Sequence, residues 1–148
     1  MKAAVLSALV CCHFTTLVGT EGSSTISVAG EWEFSAGQDE ADKLPHSPLQ
    51  DRIFLPGTIA GSGYGLRSRG PSHSPGQETW GRLSPLFEFE GVAWFAREVF
   101  VPDSWAGKPL ELFLERCHWV SRVWWDGRYI GRRDSLSVPH RYLLSPEA

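Results

Sequence analysis

The clearest pattern in the chain is an alternation of apolar and polar residues along its C-terminal half. Leu110, Leu112 and Leu114 recur at every second position, which is the period of a half-buried β-strand. Similar stretches predict strands over 26–34, 52–55, 87–101, 119–125, 128–131 and 140–144. Between two of these stretches lies Asp126-Gly127, a pair that favours a type I′ hairpin because both turn residues need a positive φ. We therefore predict an all-β, antiparallel sandwich.

The N-terminal segment has a different pattern. Lys2 precedes an apolar stretch over 3–18, and small and polar residues follow over 19–24. This order is typical of a secretory signal peptide, so we predict a leader over 1–22, a mature domain over 23–148 and a secreted or periplasmic location. A buried N-terminal helix and a short membrane anchor are the alternatives. The stretch is shorter than the ~20 residues of a spanning helix, which argues against the anchor.

Composition excludes several classes of protein. The chain has 148 residues and a net charge of −3, whereas a (β/α)₈ barrel needs about 250 residues. The negative charge argues against a nucleic-acid partner, although arginines collect among aromatic residues in the C-terminal half. We interpret that cluster as strand-face salt bridges and arginine stacking on Trp. Removal of the leader would take Cys11 and Cys12 and leave Cys117 alone, so no internal disulfide is expected.

Residues that could support catalysis or metal binding are few. His118, Asp134, Ser135 and His140 are the types used in a Ser-His-Asp triad, but polar loop residues are the more economical interpretation. His46, His73, His118 and His140 lack the close spacing of zinc ligands. The sequence Gly61–Gly65 is rejected as a phosphate loop because it follows a proline rather than entering a helix. We predict no catalytic residue, metal or cofactor in this chain.

The seven tryptophans suggest a different kind of site. An indole ring packs on the apolar face of a pyranose while Arg, Glu and His side chains bond its hydroxyl groups. For each Trp taken singly, a place in the core is the competing interpretation.

Seven motifs, taken in their order along the chain, resemble the motifs of a known protein family. They are Gly30-Glu-Trp-Glu-Phe34, Leu55-Pro-Gly-Thr58, Gly91-Val-Ala-Trp-Phe-Ala-Arg97, Val101-Pro-Asp-Ser-Trp105, Leu114-Glu-Arg-Cys-His-Trp119, Val123-Trp-Trp-Asp-Gly127 and Ser135-Leu-Ser-Val-Pro-His140 with Tyr142. Together they are similar to the N-terminal sugar-binding domain of glycoside hydrolase family two, the β-galactosidase and β-glucuronidase family. Leu143 departs from the family pattern, which has Asp after the tyrosine.

The resemblance implies a galactose-binding-like jelly roll that is incomplete at about five or six strands, because a jelly roll has about eight. It implies a non-catalytic, carbohydrate-binding portion of a secreted glycosidase that is inactive alone, since the family's catalytic carboxylates belong to a separate barrel. The expected ligands are β-galactosides or β-glucuronides. A stand-alone binding module and a subunit that docks a separately encoded barrel are the alternatives. The candidate contact residues are Arg116, His118, Trp119, Ser135 and His140.

Overall fold

The fold is built from antiparallel strands. The computed structural model describes residues 25–37, 43–45, 47–68 and 86–144, and the backbone of 2–9 and 15–19. The strands of these residues are β1 (Lys2–Leu9), β2 (Thr15–Gly19), β3 (Thr25–Ser27), β4 (Gly30–Ala36), β5 (Asp51–Leu55), β6 (Leu66–Arg67), β7 (Phe87–Glu88), β8 (Ala93–Val101), β9 (Leu110–Leu114), β10 (Val120–Trp125), β11 (Arg128–Asp134) and β12 (His140–Leu144). Short 3₁₀ turns lie at Ala60–Ser62 and Asp103–Trp105.

Two sheets enclose the main core, and Trp94 with Trp124 forms a second, smaller buried cluster. The larger sheet has the order β11-β10-β1-β8-β4-β5, the smaller sheet has the order β12-β9-β2-β3, and β6 with β7 forms a separate short ribbon. The core cluster combines Phe95 and Val123 from the larger sheet with Leu112 and Tyr142 from the smaller one. The inner faces of the two sheets therefore pack on each other as in a β-sandwich, and the all-β prediction is confirmed.

The C-terminal strands follow the predicted alternation. Leu110, Leu112 and Leu114 are buried along β9, and β12 buries every second residue from His140 to Leu144. The hairpin between β10 and β11 turns through Asp126 and Gly127, whose φ values are 48° and 78°. Both positive values are those a type I′ turn requires, which confirms the predicted reversal.

The N-terminal segment differs from expectation in its conformation. Residues 2–9 and 15–19 are strands within the two sheets, so the alternative of a buried N-terminal helix is wrong. An apolar run of this kind is compatible with a strand as well as a helix, and its periodicity alone does not separate the two. The two sheets contain ten strands, eight of them without β1 and β2, which is more than the five or six expected. The leader remains a prediction; residues 20–24 of its cleavage region, Cys11, Cys12, His46, His73 and 69–85 lie outside the described residues.

Two of the sequence motifs meet where the chain enters β4 of the larger sheet. The guanidinium of Arg97 donates hydrogen bonds to the carbonyls of Val28 and Ala29, at 3.0 and 2.8 Å. The indole nitrogen of Trp32 donates to the same Val28 carbonyl at 2.9 Å. Gly30 has φ +129°, and a Cβ there would lie 2.9 Å from a guanidinium nitrogen of Arg97. The glycine, tryptophan and arginine of these motifs therefore fix the entry into β4.

Candidate functional site

Two loops at one end of the sandwich bring the predicted site residues together. The loop over 115–119 joins β9 to β10 and contains Arg116, His118 and Trp119. The loop over 135–139 joins β11 to β12 and begins with Ser135. The backbone N–H of Ser135 donates to the carbonyl of Trp119 at 3.2 Å, and this bond ties the loops to each other.

Trp119 is the exposed one among the six tryptophans that the structure describes. Its side chain is 64% exposed, whereas Trp32, Trp94, Trp105, Trp124 and Trp125 are each exposed by 9% or less. The core interpretation is therefore correct for those five residues and wrong for Trp119. Arg116 and His118, on the same loop, are also exposed. We refer to Arg116, His118 and Trp119 as the Trp119 platform.

Ser135 connects the platform to the interior. Its hydroxyl accepts hydrogen bonds from the backbone N–H groups of Ser137 and Val138, both at 3.2 Å, which holds the start of the second loop in a turn. Its carbonyl accepts a hydrogen bond from Nε2 of His140 at 3.0 Å. Ser135 therefore uses its N–H, hydroxyl and carbonyl within the protein, and its role is to support the loops.

His140 lies inside the sandwich, with 1% of its surface exposed. A carbonyl only accepts, so Nε2 carries the proton given to Ser135, and in the neutral ring Nδ1 accepts from the hydroxyl of Ser121 at 2.6 Å. The hydroxyl of Tyr142 contacts the Ser121 hydroxyl and donates to the Ser121 carbonyl at 3.0 Å. Since Ser121 belongs to β10 and the other two to β12, this network links the two sheets.

Burial shifts the acid–base behaviour of both titratable members of this network. Desolvation lowers the pKa of His140, and the positive charge of Arg133 acts in the same direction, while the Ser135 hydrogen bond and Asp134 oppose them. Desolvation also raises the pKa of Tyr142 to about 12, although its hydrogen bond to Ser121 works against this. Both side chains are therefore neutral near pH 7.

The residues of the types used in a Ser-His-Asp triad do not assemble as a nucleophilic site. His140 meets the Ser135 carbonyl rather than the Ser135 hydroxyl, and Asp134 pairs with Arg132 at 2.6 Å. The serine that does contact the ring, Ser121, is fully buried, so no substrate reaches it. Among the described residues, no three His, Cys, Asp or Glu side chains are grouped as metal ligands.

Sequence reasoning missed Ser121 and Tyr142 as partners of His140. A signal existed for each, because Ser121 is a polar residue at an inward position of β10, and Tyr142 shares the inward face of β12 with His140. Neither pattern shows which strands of the two sheets face each other. That information appears only in the folded chain.

Two arginines near the site make a salt bridge or stack on a ring, but the rings are Tyr and Phe rather than the predicted Trp. Arg141 pairs with Glu111 and stacks with its Cζ 4.6 Å from the ring centre of Phe113. Arg133 lies over the ring of Tyr142 at 5.1 Å. Leu143, at the position of the family's Asp, is on the outer face of β12 and is mostly exposed, so this chain presents an apolar side chain there.

No protein-family model matches this chain, and no curated protein matches it either. In the part of the chain that the structure describes, no helix has the length and apolar character needed to cross a bilayer.

Proposed function

We propose that this chain is a carbohydrate-binding β-sandwich of the kind found at the N-terminus of family-two glycoside hydrolases. The Trp119 platform is its contact surface, with β-galactosides or β-glucuronides as ligands. The observation that carries the proposal is the exposed indole of Trp119 in a chain that buries the other described tryptophans. A large aromatic side chain kept in water, with polar groups beside it, is typical of a sugar-stacking site.

The surroundings of Trp119 support a built site. The Ser135 N–H fixes the Trp119 carbonyl, and Ser135 is itself held by buried His140. Such a fixed backbone reduces the entropy lost when a ligand binds. Arg116 and His118 supply hydrogen-bond donors for sugar hydroxyls or a uronate carboxylate. His140 and Ser135 position the loops, whereas Arg116, His118 and Trp119 contact the ligand.

The motif resemblance supports the same assignment. Leu114-Glu-Arg-Cys-His-Trp119 and Ser135-Leu-Ser-Val-Pro-His140 are the motifs that form the two loops of the site. The motifs around Gly30 and Arg97, by contrast, stabilise the sandwich. On this proposal the chain binds saccharide and performs no bond cleavage itself, and hydrolysis belongs to a separate catalytic domain.

The experiment is a fluorescence titration with methyl β-galactoside, lactose and methyl β-glucuronide. We expect a saturable change in tryptophan emission in the millimolar range or tighter, and its loss in Trp119→Ala. Because Trp119 is mostly exposed, the variant keeps its stability within about 0.5 kcal/mol. Phe54→Ala is the matched control, since Phe54 is an equally exposed aromatic on the edge strand β5. Silence with all three sugars, or equal binding by Trp119→Ala, contradicts the proposal.

A further inference from the structure

The N-terminal strands fill one central position in each sheet. β1 lies between β8 and β10, and its register pairs Lys2–Ala8 with β8 and Leu6–Leu9 with β10. β2 lies between β9 and β3 in the smaller sheet. All of these pairings are antiparallel. A single continuous stretch of chain therefore supplies two strands without which each sheet would be divided in its interior.

The position of β1 is bordered by apolar side chains. Val99 and Val101 of β8, and Val123 and Trp125 of β10, are buried in the core. Their strands present backbone N–H and C=O groups toward β1 along the register. Unpaired groups next to a dry core are unfavourable, so this position must hold a strand.

The sequence that holds the position is poorly suited to it. Lys2–Leu9 reads Lys-Ala-Ala-Val-Leu-Ser-Ala-Leu, and alanine is depleted in strands because it covers little of the pleated surface. Val, Ile and aromatic residues are the usual choice for a central strand. The same eight residues belong to the stretch with the composition of a removable leader. A segment of low β-propensity therefore occupies a central position of the sheet, which usually holds residues of high β-propensity.

We infer that the positions of β1 and β2 form an acceptor site for a two-strand segment of a partner polypeptide, which replaces the chain's own N-terminal strands. The segment has a strand of about eight residues antiparallel to β8 and β10, then a short connection, then a strand of about five residues beside β9. Its residues alternate, with β-branched or aromatic side chains toward the core. Backbone hydrogen bonds supply the affinity, as in other cases of strand addition.

The test uses the full 148-residue chain, produced without export and checked by intact mass. Leu6 has a partner strand on both sides, Arg97 in β8 and Trp125 in β10, so Leu6→Pro removes a ladder hydrogen bond wherever its N–H points. We expect its Tm to fall by at least about 6 °C, with faster hydrogen exchange in β8 and β10. Leu6→Val is the control that keeps the N–H.

Three peptides are then added to Leu6→Pro. The first is the chain's own residues 1–20, the second carries Ala4→Val and Ala8→Val, and the third is a shuffled sequence of the second. We expect the first to restore part of the lost Tm and exchange protection, the second to restore more, and the shuffled peptide to restore none. No rescue by the second peptide, or dimers of Leu6→Pro without bound peptide, would overturn the proposal.

A second measurement decides the matter if Leu6→Pro does not fold. A specific protease site replaces residues 20–24 of the full chain, and the purified protein is cut there. We expect the 1–19 fragment to co-elute with the remainder and to be displaced by the valine-containing peptide. Dissociation of the fragment with unchanged hydrogen exchange in β8 and β10 would overturn the proposal, because those strands would not need a partner.

Discussion

At the scale of single residues, the polar link between the sheets is a buried network whose members depend on one another. Ser121, His140 and Tyr142 satisfy one another in a place that water does not reach, and no buried polar side-chain atom among the described residues lacks a partner. A buried group that loses its partner bears its full desolvation penalty. The network is therefore more vulnerable to the loss of one member than its individual hydrogen bonds suggest.

Ser121→Ala tests this vulnerability. The substitution leaves Nδ1 of His140 without a donor and removes one contact of the Tyr142 hydroxyl, so we expect the free energy of unfolding to fall by about 1–3 kcal/mol. Urea denaturation measures it. Ser104→Ala is the matched control, because Ser104 is exposed and its removal is expected to change stability by less than about 0.5 kcal/mol. Equal effects of the two substitutions would contradict the structural role of Ser121.

The lowered pKa of His140 predicts how stability changes with pH. Above the unfolded-state value of 6.5 the imidazole is neutral in both states. As the pH falls below that value the unfolded chain binds the proton first, so the free energy of unfolding decreases until the pH reaches the lowered pKa of the folded state. We expect Tm to drop on acidification through this window, and the drop to be smaller in His140→Gln. A Tm profile with the same slope in both proteins would be the contrary result.

At the scale of strands and turns, Gly30 at the start of β4 leaves room for the side chain of Arg97. Gly30 and Gly91 have similar φ values, +129° and +124°, but only at Gly30 would a Cβ meet Arg97. Both Gly→Ala substitutions force alanine into a region reserved for glycine, at about 1–3 kcal/mol. We expect Gly30→Ala to be worse by about 1 kcal/mol or more, because it also disturbs the hydrogen bonds of Arg97 to Val28 and Ala29. The urea denaturation midpoints of Gly30→Ala and Gly91→Ala measure this difference in stability. Equal midpoints would show that the Arg97 side chain can shift without a loss of stability.

The strands differ in how well the sequence predicts them. Strands β9 and β12 were predictable because each has one buried and one solvent-facing side. Apolar and polar residues therefore alternate along their sequences. The β10–β11 turn was predictable because Asp126 and Gly127 are selected for their φ angles. β1 and β2 were not, since the apolar stretch over 3–18 shows no alternation and has the composition of a leader. The site was predicted in part, because the motifs brought out Trp119 and His140 but not which of them is exposed.

At the scale of the whole molecule, the net charge and the pairing of the arginines determine whether the surface attracts a polyanion such as nucleic acid. The net charge is −3, and the arginines that would form a basic surface are partly neutralised, Arg132 by Asp134 and Arg141 by Glu111. Nucleic-acid affinity comes mainly from unpaired cations that release counterions from phosphates. An uncharged saccharide needs no such field, only a ring to stack on and donors beside it.

We therefore expect no binding of nucleic acid by this chain under the conditions of the sugar titration. Fluorescence anisotropy of a labelled single-stranded oligonucleotide at 0.15 M salt measures this, and no saturable rise is expected at micromolar protein. Asp134→Asn with Glu111→Gln releases Arg132 and Arg141 and raises the net charge from −3 to −1. If cations alone limit binding, that double variant gains weak affinity that disappears with added salt. Tight, salt-sensitive binding by the wild-type chain would instead mean that the aromatic and arginine residues of the C-terminal half form a nucleic-acid surface.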